Sequence, residues 1–126
     1  MPLRVFLVED SVPVRERLQA MLAALDGARV VGHAEAADGA LESILAAAAD
    51  VVVLDVKLAQ GNGFDVLHAL REAAPAVEVY VLSNFASQAY RRAAERLGAR
   101  GFFDKTTEFE RLRESLARRA LPSEKA

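Results

Sequence analysis

Cysteine is absent from this 126-residue chain. That excludes a disulfide scaffold, a thiol nucleophile and any thiolate metal site. Long apolar runs are missing too: none approaches the roughly 18 residues that a transmembrane helix needs. The opening Met1-Pro2-Leu3-Arg4 passes straight into an apolar, strand-like segment, without the charged, apolar and cleavage regions of a signal peptide. Neither sign of charge is in excess. Sixteen basic residues face eighteen acidic ones, a net charge of −2, whereas dedicated nucleic-acid binders usually carry a basic surplus. Lysine is scarce, since the basic residues are arginines apart from Lys57, Lys105 and Lys125. What is present is apolar enough to fold, with 52% hydrophobic residues in a length that suits one domain of roughly 100–150 residues. The expectation is a single-domain cytoplasmic protein with no membrane segment.

Strand-like and helix-like patterns alternate along the chain. Leu3-Arg4-Val5-Phe6-Leu7-Val8 is a strand-length run that stops at Glu9-Asp10-Ser11. Ser11 can cap the next helix, whose first turn accommodates Pro13. Val14, Leu18, Met21, Leu22 and Leu25 then share one helical face, and Asp26-Gly27 ends it. Residues 29–34 predict a second strand. A helix opened by Asp38-Gly39 follows, with Leu41, Ile44, Leu45 and Ala48 on one face. Val51-Val52-Val53-Leu54 suits a strand buried on both sides, as in a parallel sheet. Phe64, Leu67, Leu70 and Ala74 mark a third helix, closed by Pro75. Residues 77–82 predict a fourth strand. An alanine-rich helix over 86–97 turns Tyr90, Ala93, Ala94 and Leu97 inward. Residues 100–103 are a short fifth strand. Thr107 and Glu110 have capping-box spacing ahead of a last helix carrying Phe109, Leu112 and Leu116. The tail, 122–126, has no periodicity and is expected to be flexible.

Five strands alternating strictly with five helices predict an α/β fold, a doubly wound parallel five-stranded sheet of flavodoxin-like order 2-1-3-4-5. Ligands in such sheets bind beyond the carboxyl ends of the strands. Those ends carry Glu9 and Asp10, Asp55, Ser83 and Asn84, and Asp104 and Lys105. Three carboxylates brought together repel one another, so a positive partner is expected there. A hard divalent cation suits oxygen ligands, and no cluster of histidine and cysteine suggests zinc. Lys105 is a flexible point charge able to reach a phosphoryl oxygen or a carboxylate. Any single acid or lysine in this set has an ordinary reading as a cap or a solvated charge; the convergence is what points to chemistry.

Four motifs at these ends are Val8-Glu9-Asp10-Ser11, Val53-Leu54-Asp55, Val81-Leu82-Ser83-Asn84 and Gly101-Phe102-Phe103-Asp104-Lys105. In this order and spacing the chain resembles, over nearly its whole length, the receiver domain of two-component response regulators. The resemblance implies that Asp55 is the phosphoacceptor and that Asp10 binds Mg²⁺ (or Mn²⁺) directly. Asp55 would share that ion, with Glu9 acting through water and Lys57 through its backbone carbonyl. It implies that Ser83 hydrogen-bonds the phosphoryl group, that Lys105 pairs with it, and that Phe102 is the switch aromatic. The chain departs from the family pattern at Glu9, where aspartate is commoner, in the loop after Asp55, which lacks a frequent proline, and at Phe102, which has no hydroxyl. Lys57 and Phe85 lie two residues after Asp55 and Ser83, where they would tune attack of water on the acyl phosphate.

The resemblance also implies partners. A sensor histidine kinase or phosphotransfer protein would dock near Val12, Pro13, Val14 and Arg15. An output protein, or a second copy in a homodimer, would use the face of the fourth helix, fifth strand and fifth helix. There Arg91, Arg92, Arg96, Arg100, Arg111 and Arg113 interleave with Glu95, Glu108, Glu110 and Glu114, as interface rim pairs or as solvated surface pairs. Residues 1–121 would be the receiver, with no output domain and no direct DNA binding. The function implied is signalling rather than enzymatic. A receiver-fold scaffold that is never phosphorylated is the alternative. An aspartyl phosphatase of haloacid-dehalogenase type is disfavoured because Lys57 occupies the position of its second acid. A flavodoxin is disfavoured by the acidic loop after the first strand. His68, on the third helix away from the acidic edge, reads as solvent-exposed.

Overall fold

The computed structural model describes residues 2–120. Its elements are β1 (Leu3–Val8), α1 (Val12–Ala23), β2 (Ala28–Ala34), α2 (Ala40–Ala46), β3 (Val51–Leu54) and α3 (Gly63–Ala73). They continue with β4 (Glu78–Ser83), α4 (Gln88–Arg96), β5 (Gly101–Asp104) and α5 (Phe109–Ala120). The five strands form one parallel sheet in the order β2-β1-β3-β4-β5, the flavodoxin-like order expected. Leu121 and the tail expected at 122–126 lie outside the described residues.

Period-two alternation in the central strands sorts the core into two layers. Val5, Leu7, Val51, Val53, Tyr80 and Leu82 pack on one face with Leu18 and Leu22 of α1 and Leu112 and Leu116 of α5. Phe6, Val8, Val52, Leu54, Val79 and Val81 pack on the other with α2, α3 and α4. Every residue of β3 is buried, which explains its unbroken β-branched run. The starts of α1, α3 and α4 are capped by side chains. Ser11 accepts from the Val14 N–H, Asn62 from Phe64 and Ser87 from Tyr90.

Two expectations change. Leu45 is 46% exposed and Ala48 sits in solvent with φ 54°. α2 is only seven residues long, so the inward face at this point is Ala40, Ile44 and Ala49, with Leu41 against it. The capping box of Thr107 and Glu110 does not form among the described residues, and Glu110 instead pairs with Arg113. The turn is held one element earlier. Asp104 Oδ1 accepts from the N–H groups of Thr106 and Thr107, and Glu108 reaches back to the Asp104 N–H. Element ends otherwise move by one or two residues: β4 and β5 each begin and end one residue later than expected.

One glycine controls how α3 departs from β3. Gly63 is buried and donates to the Val56 carbonyl at 2.9 Å. A Cβ there would fall on the Asp55 carbonyl and 2.6 Å from Val56 Cα, both backbone atoms that cannot swing away. Gly39, with φ 81° and open space around it, is the contrasting case. In urea unfolding, Gly63→Ala is expected to lose at least about 3 kcal/mol, while Gly39→Ala loses about 1 kcal/mol through its backbone conformation alone. Equal losses would show that contact with the Asp55 loop is not what Gly63 serves.

Candidate functional site

β1, β3, β4 and β5 end side by side, and their ends bring together residues far apart in sequence. Glu9 follows β1 and is 2% exposed. Its N–H donates to Ala34 at the end of β2, and its carboxylate accepts from the Ser11 N–H at 3.0 Å. Asp10 beside it is half-buried, and its Oδ2 accepts from the Ala59 N–H at 2.6 Å. Asp55 follows β3 and is 4% exposed. Its N–H donates to Val8, and its Oδ1 accepts from the Lys57 N–H at 3.1 Å. Ser83 closes β4 fully buried, its Oγ accepting from the Phe85 N–H at 3.0 Å. Lys105 follows β5 and is tied to the same strand end through its N–H to the Ser83 carbonyl.

The Lys105 side chain crosses this edge. Its Nζ lies 2.8 Å from Asp55 Oδ2 and 3.0 Å from the Glu9 carboxylate. Burial pushes the Glu9 carboxyl above its usual 4.5, against the lowering effect of its hydrogen bonds to Ser11 and Lys105. Burial alone would lower the Lys105 ammonium, but the hydrogen bonds and charges of Asp55 and Glu9 outweigh it and raise it above 10.5. Among the described residues, no buried side-chain nitrogen or oxygen lacks a hydrogen-bond partner.

Glu9, Asp10 and Asp55 each offer a carboxylate oxygen within 4.8 Å of the others. Three oxygens with no nitrogen or sulfur donor are the chemistry that a hard divalent cation takes. The expected members Asp10, Asp55, Glu9, Ser83 and Lys105 are therefore brought to one edge. Lys57 is in the adjoining loop with its ammonium 5.2 Å from the Phe85 ring centroid, above the ring. Phe85 is 48% exposed and stacks on Tyr90, which meets Phe64 edge-on. Phe102 stands back from this edge, half-buried against the α2–α4 layer under the Arg91 guanidinium. His68 is exposed on α3, as expected.

The family model described as the response regulator receiver domain matches residues 5–117. This chain belongs to the response regulator receiver domains. A DNA-binding transcriptional activator, DevR/DosR of Mycobacterium tuberculosis, is 35% identical over 79% of this chain and 46% of its own length. A protein-glutamate methylesterase/protein-glutamine glutaminase of Myxococcus xanthus is 37% identical over 66% of this chain and 24% of its own. The receiver thus spans less than half the length of these curated relatives. Among solved structures, the response regulator domain of Thermotoga maritima CheB superimposes with a TM-score of 0.83 at 26% identity, covering 95% of this chain and 96% of that one. The receiver domain of AraT from Geobacillus stearothermophilus gives 0.81 at 27% identity, covering 94% and 92%. Among the described residues no helix is long and apolar enough to cross a membrane.

Three features of this receiver's edge carry no signal in the sequence pattern. The Ala59 N–H serves Asp10 from the loop after β3. Arg15 of α1 donates to the Glu9 carbonyl at 3.3 Å while pairing with Glu35 at 3.2 Å. Glu108 looks like one surface acid among several, yet accepts from both Arg91 and the Asp104 N–H.

Replacing Lys105 leaves two buried carboxylates facing each other. Without divalent cations, Lys105→Met is expected to lose about 3–5 kcal/mol at pH 7. Because the folded-state pKa of Glu9 is raised, the penalty of its charge is absent below pH 4.5 and builds as pH rises through the folded value. The deficit relative to the parent should therefore shrink as pH falls toward 4.5. A pH-independent deficit in urea titrations would mean that Lys105 stabilises by packing alone.

Proposed function

We propose that this receiver accepts a phosphoryl group on Asp55 and converts its charge into a change at a protein-binding face. The observation that carries the reading is the Lys105 ammonium set between buried Asp55 and Glu9, with Asp10 and Ser83 at the neighbouring strand ends. A carboxylate oxygen of Asp55 attacks phosphorus, an oxygen–phosphorus bond forms, and the bond from phosphorus to the donor (to the imidazole nitrogen of a phosphohistidine, or to the carboxyl-derived oxygen of acetyl phosphate) breaks with its electron pair leaving on the donor. The product is an acyl phosphate. Such transfer is mostly positioning and neutralisation of charge on the phosphoryl oxygens. Asp10 and Asp55, the Lys57 backbone carbonyl and, through water, Glu9 would hold Mg²⁺ (or Mn²⁺), which supplies part of that neutralisation when bound. Lys105 supplies the rest and turns from Glu9 toward the new phosphoryl oxygens. The Ser83 hydroxyl, already at the strand end, donates to one of them.

The charge thus created draws Ser83 and Lys105 together, and β4 and β5 carry the shift outward. Phe102 is the aromatic that repacks. Lacking a hydroxyl, it requires no hydrogen-bond partner in either position. The face of α4, β5 and α5 then meets an output protein or a second copy. That face holds an open groove of about 280 Å³, bounded by Arg91, Glu95, Arg100 and Phe102. A sensor histidine kinase or phosphotransfer protein reaches Asp55 from the side of exposed Val12 and Pro13. The near-neutral charge supports protein partners rather than direct DNA contact by this unit, and the role proposed is cytoplasmic and in signalling rather than enzymatic. Phe85 and Lys57 flank the path by which water reaches the acyl phosphate.

Incubation with acetyl phosphate and Mg²⁺ should add one phosphoryl group per chain by intact mass, with none on Asp55→Asn. Absence of the adduct on the parent protein favours a scaffold that keeps the fold without the reaction. Phe85→Ala should shorten the acyl-phosphate lifetime several-fold by admitting water. An unchanged lifetime removes Phe85 from that role.

A further inference from the structure

We propose that Glu108, clamped by Arg91, is a positioning residue for Lys105. Lys105 is a long, flexible side chain whose usefulness depends on where its backbone stands. It must place one ammonium within 2.8 Å of Asp55 and 3.0 Å of Glu9, and a side chain that is 9% exposed has little room to compensate for a displaced turn. The turn that carries it is built around Glu108. Glu108 Oε1 accepts from the Asp104 N–H at 2.9 Å, and the Glu108 N–H donates to the Asp104 carbonyl at 2.9 Å. These reciprocal bonds fix the residue before Lys105 from both sides. The Asp104 carboxylate in turn accepts from Thr106 at 2.7 Å, fixing the residue after it.

Arg91 orients the Glu108 carboxylate. Its Nη2 lies 2.8 Å from Glu108 Oε1, its Nη1 donates to the Phe102 carbonyl at 3.2 Å, and its Nε to the Ala86 carbonyl at 3.2 Å. One planar guanidinium therefore joins three places: the loop that follows Ser83, strand β5, and the start of α5. A lysine could not present this fork. The guanidinium also lies 5.1 Å from the Phe102 ring centroid. Both partners of the pair are less than a third exposed, which separates it from the solvated pairs Arg111–Glu108 and Arg113–Glu110 on the same surface. Arg91 and Glu108 thus hold the Ser83 loop and the Lys105 turn in one frame before any phosphoryl group arrives.

The test reads the position of Lys105 through its coupling to Asp55. Urea unfolding of the parent, Asp55→Asn, Lys105→Met and the double variant, without divalent cation, gives that coupling. The same four proteins carrying Glu108→Ala should show it reduced by at least about half. Glu108→Gln retains an acceptor oxygen for the Asp104 N–H and should preserve most of it. Arg91→Lys, a milder change should Glu108→Ala unfold the weaker variants, should also reduce it. A coupling unchanged by both Glu108→Ala and Arg91→Lys overturns the proposal. A second arm rests on the phosphoacceptor reading. With acetyl phosphate and Mg²⁺, Glu108→Ala should slow phosphorylation of Asp55 roughly ten- to a hundredfold, and should have no further effect once Lys105→Met is present. A slowing that persists in full in the Lys105→Met background also overturns it. If the parent is not phosphorylated at all, the phosphoacceptor reading fails, and the unfolding cycle alone decides the role of Glu108.

Discussion

Lys105 holds its ammonium between Asp55 and Glu9, two carboxylates that have almost no contact with water. Facing each other in a region of low dielectric, two such charges would repel each other. The lysine makes their joint burial tolerable, and the arrangement at the carboxyl edge follows from it. β5 must end close enough to β3 for a four-carbon stem to reach across β4. Ser83 must end flush with Asp104, as the β4–β5 register sets it. The β1 loop must fold back so that Glu9 takes the other side of the ammonium. An ion pair buried in this way is a poor source of net stability, because desolvation opposes the attraction. Its value here is a defined geometry for charge.

Much of this was legible in the sequence. The apolar runs gave five strands, the helical periods five helices, and their alternation the strand order. From the order came the strand ends, and from the ends the five polar residues that meet. That inference worked because the hydrophobic pattern is strong at β1, β3 and β4, whose residues are buried on both faces. It failed at α2, where Leu45 and Ala48 fit a helical period but the helix stops at Ala46. Tertiary packing there selects Ala40, Ile44 and Ala49, and a period extended past a helix end predicts a face that does not exist.

The supporting hydrogen bonds were not legible, for a physical reason. Thr107 and Glu110 have the spacing of a capping box, yet Glu108 does the comparable work because Arg91, from a different helix, is placed to orient it. Local spacing lists the bonds a segment can make with itself. It does not say which side chain arrives from elsewhere. Arg91 and Glu108 look like members of a mixed-charge surface, and only their partners distinguish them from Arg111 and Arg113. The Ala59 N–H on Asp10 belongs to the same class, since any residue but proline at that position would supply the same donor.

Three carboxylates against one ammonium leave two negative charges at the edge, the complement of one divalent cation. On the proposed function, phosphorylation would replace the single charge of Asp55 with nearly two on the phosphoryl oxygens, so the edge would become more negative by about one. Lys105 is shared between Glu9 and Asp55, and a phosphoryl group on Asp55, the stronger acceptor, would take a larger part of it. Any such movement would strain a turn pinned by Glu108 and, through Arg91, would reach the Phe102 carbonyl and the loop after Ser83 together. Under the proposed function, a change at one aspartate would thereby be felt at the α4–β5–α5 face without Phe102 needing a hydroxyl to report it.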